Sequence, residues 1–391
     1  MSEQNKQVPR LRFPGFTDAW VKCELGDVAE IVGGGTPSTS ILEYWNGEIN
    51  WYSPVEIGNQ IYVSSSQNKI TKLGLEKSSA KILPAYKTIL FTSRAGIGNT
   101  AIMTTNGATN QGFQSLVIKE KTDLYFLYSI SSKIKEMALQ IASGSTFLEI
   151  SGKSLSRLEI LVPNFEEQTK IGKFFQHLDN LITVNERELN KLKNLKKSYL
   201  EKMFPKNGSN IPELRFPGYT DAWVKYELSE LAKFSKGRGY SKRDLVKAGY
   251  PIILYGRLYT NYETTISTVT DTFVSADLNS IKSEIGDVIV PGSGETAEDI
   301  SRASTIDISG IILGGDLNII KPDKQVLDSI FLAITISNGS QQRELTKRAQ
   351  GKSVVHLHNS DLERILVYLP SKNEQTKIGN FFTKLDKVIT V

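Results

Sequence analysis

Two Gly-Lys-Ser triplets, Gly152-Lys153-Ser154 and Gly351-Lys352-Ser353, carry the residue types that end a phosphate-binding loop. Such a loop needs a glycine five positions ahead of the triplet's own, so that backbone amides can wrap the phosphates. Phe147 and Thr346 stand there, which removes both candidates. Gly292-Ser293-Gly294-Glu295-Thr296-Ala297 has the spacing of a dinucleotide fingerprint with alanine last. Acidic residues at 295, 298 and 299 would repel a pyrophosphate, and the stretch reads poorly as a helix start. The three histidines are His177, His356 and His358, and no cluster of carboxylates joins them into a metal site. The single cysteine, Cys23, has Tyr226 as its counterpart in an internal repeat, which argues against a nucleophile. Neither an Asn-Pro-Pro-Tyr methyltransferase motif nor a Pro-Asp…Glu-x-Lys nuclease motif is present.

Recognition chemistry is better represented. Between Ala232 and Tyr262 lie seven basic residues, Lys233, Lys236, Arg238, Lys242, Arg243, Lys247 and Arg257, against one acidic residue, Asp244. Tyr240, Tyr250, Tyr255, Tyr259 and Tyr262 are interleaved with them. Basic side chains suit phosphates, and arginine can read guanine in the major groove. A solvated charged face is the plain alternative. Upstream, the polar loop candidates are Thr36, Ser38, Arg94, Asn110 and Gln111.

The chain that must position these groups has 391 residues, 39% of them apolar, with a net charge of only +5. That length suits two or three domains with real cores. One cysteine fits a reducing compartment. Residues 1–10 are polar and hold no apolar run, so no signal peptide is expected. No apolar run approaches the ~20 residues that span a bilayer. A soluble, cytoplasmic protein is expected.

An internal repeat organises the chain. VPRLRFPGFTDAWVKCEL at 8–25 and IPELRFPGYTDAWVKYEL at 211–228 agree at 14 of 18 positions. PNFEEQTKIGKFFQHLDNLITV at 163–184 and PSKNEQTKIGNFFTKLDKVITV at 370–391 agree at 14 of 22. The repeats frame two inserts, roughly 26–162 and 229–369, which barely resemble each other in sequence. A constant frame with variable inserts suits a scaffold carrying two readers of different specificity.

From Glu166 to Met203 there is no proline, and Gly172 is the only glycine. Phe175, Leu178, Ile182, Leu189, Leu192, Tyr199 and Met203 follow the spacing of a coiled-coil seam, broken at Asn185 and Lys196. A helix of ~57 Å at 1.5 Å per residue is expected, ended by Pro205 and Gly208. The repeat predicts a second such helix from Glu374, packed antiparallel on the first. A spacer between the inserts is favoured over a plain dimerisation helix, because the helix recurs once per insert. The counterpart of Asn185 to Phe204 does not follow Val391, so a truncated second helix is expected.

Both inserts mix short strands and helices in matching order. Helices are expected near 124–142 and 328–347, and a strand at 88–92. Trp20 and Trp223 read as core residues.

Taken together, LRFPG(F/Y)TDAWVK, EQTKIG-FF--LD--IT, GGGTPS with EYWNGEINW, and YGRLYTNYETTI with GDVIVPGSGET and LGGDLNII make the chain resemble the specificity subunits of type I restriction–modification systems, over essentially its whole length. The resemblance implies an α+β fold of two similar α/β target-recognition domains with an internal pseudo-twofold repeat. Long helices forming an antiparallel coiled coil would join them. The domains would span 1–162 and 208–369, the first long helix 163–207 and the start of the second 370–391. It implies that each domain reads one half of a bipartite site in double-stranded DNA, the halves about one turn, ~34 Å, apart. It implies two methyltransferase subunits that bind S-adenosylmethionine and methylate adenine, and ATP-driven restriction subunits. No catalytic residue, metal or cofactor is then expected on this chain, with S-adenosylmethionine, ATP and magnesium belonging to the partners. Loops 35–38, 93–98, 109–113 and 144–146 are expected to face DNA from the first domain. From the second, 236–243, 255–262, 292–296, 314–318 and 351–353 are expected to do so. The residues singled out are Thr36, Ser38, Arg94, Asn110, Gln111, Ser145, Thr146, Lys236, Arg238, Tyr240, Lys242, Arg243, Tyr255, Arg257, Tyr259, Ser293, Glu295, Thr296, Lys352 and Ser353, with Arg238 and Arg257 foremost. A stand-alone two-headed DNA-binding regulator and a non-catalytic coiled-coil scaffold are the competing readings.

Overall fold

The computed structural model describes residues 9–390 apart from 59, 95, 145–147, 207, 278–279 and 352–353. The chain divides into two compact units between Asn185 and Glu186.

In the first unit the strands are β1 (Val21–Glu24), β2 (Ala29–Gly33), β3 (Trp45–Tyr52), β4 (Tyr62–Val63), β5 (Asn68–Ile70), β6 (Thr88–Phe91), β7 (Thr100–Met103), β8 (Gly107–Thr109), β9 (Gln114–Ile118) and β10 (Glu159–Val162). One sheet runs β2-β9-β6-β7-β4 and a smaller one β5-β3-β8. Pairs β2–β9, β6–β9 and β6–β7 are antiparallel and β4–β7 is parallel. Strand β6 is buried throughout, because both of its faces are covered. Ile89 and Phe91 meet Phe126, Leu127 and Ile134 of the helices α1 (Leu124–Ser129) and α2 (Ser131–Ile141). Leu90 points the other way, to Val32, Tyr52 and Met103, as the two-residue period of a strand requires.

The second unit repeats the plan. Its strands are β11 (Val224–Glu227), β12 (Ala232–Lys236), β13 (Leu245–Val246), β14 (Tyr250–Ile253), β15 (Thr265–Ile266), β16 (Phe273–Val274), β17 (Val288–Pro291), β18 (Ser293–Gly294), β19 (Ser304–Ile306), β20 (Ile312–Leu313), β21 (Leu317–Pro322), β22 (Val355–His356) and β23 (Leu366–Leu369). The sheet β12-β21-β17-β19-β15 has the same sequence of antiparallel pairs ending in one parallel pair. Val288 and Val290 of β17 face Phe331 and Ile334, while Ile289 faces Ile253 and Leu313. Inserts of unlike sequence therefore build one fold twice.

The long helix α3 (Phe165–Lys202) crosses the boundary between the units, and α6 (Lys372–Thr390) closes the second. Within the second unit the two pack antiparallel. Tyr199 meets Phe381 edge-on at 5.1 Å, and one turn earlier Lys196 meets Asp386 further along α6. The break that Lys196 makes in the apolar seam is thus an ion pair between helices. The other predicted helices are each interrupted. Between α1 and α2 Ser129 Oγ donates to the Phe126 carbonyl. Between α4 (Ser329–Ile336) and α5 (Gly339–Arg348), Ser337 Oγ and Asn338 Nδ2 donate to the carbonyls of Ala333 and Ile334. Such side chains compete with the backbone for helical carbonyls and end a helix.

The repeated frame is explained residue by residue. Strand β1 pairs with β10, and β11 with β23, each antiparallel. Arg12 forks onto Glu167 with both bonds at 2.7 Å, and Arg215 forks onto Glu374 at 2.9 and 2.6 Å. Gln168 accepts from the Asp123 amide at 3.0 Å and donates to the Pro163 carbonyl at 3.0 Å. Gln375 does the same with Asp328 at 2.9 Å and Pro370 at 3.0 Å. Asp123 and Asp328 in turn cap α1 and α4. Gly172 is required because a Cβ there would lie 2.2 Å from Asp123 Oδ1. Lys170 lies over the Phe16 ring and Lys377 over Tyr219. Trp223 is buried against Phe331, and Trp20 is half-buried against Phe126. Cys23 sits in β1 opposite Ile160, and burial pushes its thiol pKa up, against a role as nucleophile.

Candidate nucleic-acid interface

Loops far apart in sequence converge at the ends of the central strands, held by backbone hydrogen bonds. In the first unit Gly35 donates to Thr109 at 2.9 Å, Asn110 to Tyr52 at 3.0 Å, Ser93 to Gly112 at 2.8 Å and Ile150 to Ser93 at 3.1 Å. In the second, Arg238 donates to Leu313 at 3.0 Å, Gly314 to Ile253 at 3.0 Å, Gly292 to Asp316 at 2.6 Å and Leu357 to Gly292 at 3.0 Å. The four bonds correspond one to one. The same scaffold displays different side chains in each unit.

In the first unit Thr36 Oγ1 donates to Gln111 Oε1, tying two predicted residues together. Ser38 is exposed and shares a hydroxyl contact with Ser40 at 2.9 Å. Asn110 Oδ1 accepts from the Gly112 amide at 2.8 Å, so its side chain shapes its own loop. Arg94 is half-buried beside this cluster in sequence. Ser145, Thr146, Lys352 and Ser353 lie outside the described residues.

In the second unit Lys236, Arg238, Lys242, Arg243 and Lys247 are exposed, and none makes an ion pair among the described residues. Lys242 and Arg243 ride on a short turn whose Asp244 accepts from the Ser241 amide at 2.6 Å and hydroxyl at 2.9 Å. Those bonds hold the Asp244 pKa below its usual range. Tyr240 donates to the Ala276 carbonyl at 2.7 Å. Tyr255 and Tyr259 lie ring to ring at 6.3 Å.

Two of the predicted residues, Arg257 and Ser293, are buried. Arg257 is 7% exposed. Its Nε reaches Asp271 at 3.0 Å and its Nη2 reaches Glu263 at 2.7 Å, so it holds a turn instead of facing solvent. Ser293 is buried and bonded to His356 Nδ1 at 3.0 Å, across the β18–β22 pair. Thr296, exposed beside Glu295, caps a one-turn helix at Ala297–Ile300. A helix does therefore start there, contrary to the sequence expectation, though it is too short and too acidic to hold a pyrophosphate.

The turn Pro54–Glu56, which joins the same loop cluster, escaped the sequence reading. Its signal was the Ser53-Pro54-Val55-Glu56 capping pattern. Among the described residues no group of three or more His, Cys, Asp or Glu could hold a metal ion. None of their helices is long and apolar enough to cross a membrane.

Residues 17–194 and 220–391 both match the type I restriction modification DNA specificity domain. The chain belongs to this family. Its two specificity domains carry the two loop clusters. The Type I restriction enzyme MjaIX specificity subunit of Methanocaldococcus jannaschii is 38% identical over 177 residues, 44% of this chain and 40% of that protein. The Type I restriction enzyme EcoR124I/EcoR124II specificity subunit of Escherichia coli is 30% identical over 164 residues, 40% of each. The chain thus spans about two fifths of the length of these relatives in each match. In fold, it is similar to the S subunit of the Type-I restriction-modification system from M. genitalium. That likeness has a TM-score of 0.64 at 16% identity and covers 98% of this chain and 93% of the other.

Proposed function

We propose that this chain is the DNA-recognition subunit of a type I restriction–modification complex, each specificity domain reading one half of an interrupted site in double-stranded DNA. The carrying observation is the shared set of four backbone bonds that presents unlike loops in the two units. A constant scaffold with divergent loops is what reading two different half-sites requires. The exposed bases from Lys236 to Lys247 supply phosphate attraction. The long helix serves as a spacer, with the recognition domains at 1–162 and 208–369. The chain is non-catalytic in this reading. Methyl transfer to adenine and ATP-driven cleavage belong to methyltransferase and restriction subunits, which also hold S-adenosylmethionine, ATP and magnesium. The complex acts in the cytoplasm.

The test is single-molecule methylome sequencing of cells co-expressing this chain and the methyltransferase subunit of its system. A new N6-methyladenine signature at a two-part interrupted motif is the expected result. A stable complex of the two proteins that leaves no new motif would overturn the reading.

A further inference from the structure

We propose that Val55 reads the C5-methyl group of a thymine in the half-site taken by the first specificity domain; this rests on the DNA-reading function above. Val55 is 86% exposed on the turn Pro54–Glu56. A lone exposed apolar side chain needs no partner by itself; Val55 matters because its turn adjoins the 110–112 recognition loop.

The turn is held from three sides. Glu56 Oε1 accepts from the Ser53 amide at 2.8 Å and hydroxyl at 2.9 Å, and Oε2 accepts from the Gln67 amide at 2.7 Å. Ile57 anchors the next residue in the core. Pro54 packs on the recognition loop, where a Cβ at Gly112 would come 2.6 Å from Pro54 Cγ. Val55 is therefore presented on a fixed backbone, next in sequence to the proline that packs on the 110–112 loop, with a β-branched side chain stiff at χ1. It can neither donate nor accept a hydrogen bond. The one base feature in the major groove that matches it is the thymine methyl. Leu42 is also exposed, but its turn is tied to Thr71 through the Tyr44 carbonyl, and none of the four framework bonds reaches it.

The second unit shows what the turn is for. The bonds Asn110 to Tyr52 and Gly314 to Ile253 align Glu56 with Arg257 and Val55 with Gly256. Strand pairing opposes Trp51 to Asn68 and Pro251 to Phe273, which puts Gln67 level with Asp271. The place of the clamp is kept with different chemistry: Glu56 accepts from the Gln67 backbone amide in one unit, and Arg257 donates to the Asp271 carboxylate in the other. The side chain it presents differs, and Gly256 offers no methyl contact.

The experiment starts from the motif found by methylome sequencing. The full chain in complex with its methyltransferase partner is titrated with duplexes in which each half-site thymine in turn is replaced by deoxyuridine, which lacks the methyl. One position in one half-site should weaken binding about four-fold, the worth of a single buried methyl. Val55→Gly, which gives the turn the residue found at the matching position 256, should bind the thymine and uracil duplexes equally at that position, with an unchanged salt slope. If Val55→Gly discriminates thymine from uracil as the parent does, the contact does not exist, while DNA reading stands. If the parent complex binds no interrupted site at all, the DNA-reading function falls and this inference with it.

Discussion

Arg12 and Glu167, 155 residues apart, meet as a planar fork in which Nε and Nη2 each lie 2.7 Å from a separate carboxylate oxygen. Arg215 and Glu374 repeat the relationship in the second unit, with Glu374 1% exposed. Each fork ties the segment leading into a domain to the helix leading out of it. Removing one partner strands a buried charge, at a cost of about 3–5 kcal/mol. Arg215→Ala is therefore expected to lower the urea midpoint of the second unit sharply. Arg215→Lys should rescue little, because an ammonium cannot satisfy both oxygens. The pair Arg215→Met with Glu374→Met should recover most of the loss. A double variant as unstable as Arg215→Ala would show that the fork's worth lies elsewhere.

Arg257 is expected to affect DNA binding without touching DNA. Its guanidinium is buried between Asp271 and Glu263, each more than a third exposed. Arg257→Ala should cost about 2 kcal/mol, less than a fully buried pair. Binding should weaken as the turn loosens. The slope of log K against log salt should stay the same, since it counts phosphates neutralised. A slope shallower by about 0.9 would instead make Arg257 a phosphate contact.

Acid should release the same clamp. Burial alone would raise the Asp271 pKa, but hydrogen bonds from Asn261 and Arg257 outweigh it and hold the group below its ordinary range. A carboxylate depressed by folding contributes stability that is fully present above its unfolded pKa of about 3.9 and is lost as pH falls through the folded value. Asp271→Asn is expected to be less stable than the parent at neutral pH and to lose less on acidification below about pH 4. Parallel pH–stability curves for the two proteins would contradict this.

Much of the frame was legible in the sequence because it is written twice. Arg12 and Arg215, Glu167 and Glu374, Phe16 and Tyr219 recur at near-constant offsets, and the fold brings each into the same contact. The long helix was legible from its seam and its lack of breakers, and Lys196 from the break it makes. Loop positions such as Thr36 and Gln111 were readable as a cluster, since turn residues fell in the same order in both inserts. The burial of Arg257 was not readable. Its sequence neighbours are basic and tyrosine-rich, while Asp271 is brought to it by the pairing of β14 with β16 and Glu263 by the turn after Thr260. The interruptions at Ser129 and Ser337 were also hidden, because a serine in an apolar helix reads as solvent-facing until its hydroxyl is seen on a carbonyl.

Arg238 and Lys242 should separate base reading from phosphate attraction. The Arg238 amide is fixed to Leu313, inside the four-bond framework, so its side chain starts from the loop junction. Lys242 sits on the exposed turn Lys242–Asp244, away from that junction in sequence. A guanidinium at the junction suits guanine, whose loss costs about 1–3 kcal/mol at one base pair. An ammonium on an outer turn suits a phosphate. Lys242→Ala is expected to weaken binding uniformly across sequences and to reduce the salt slope by about 0.9. Arg238→Ala should instead relax specificity at a single position of one half-site and leave methylation of the other half-site's variants unchanged. Both are read from methylome sequencing and salt titration of the same variants. Uniform weakening by Arg238→Ala, with a matching fall in slope, would assign it to the backbone and leave the glycine-rich loop 314–316 as the element nearest the bases.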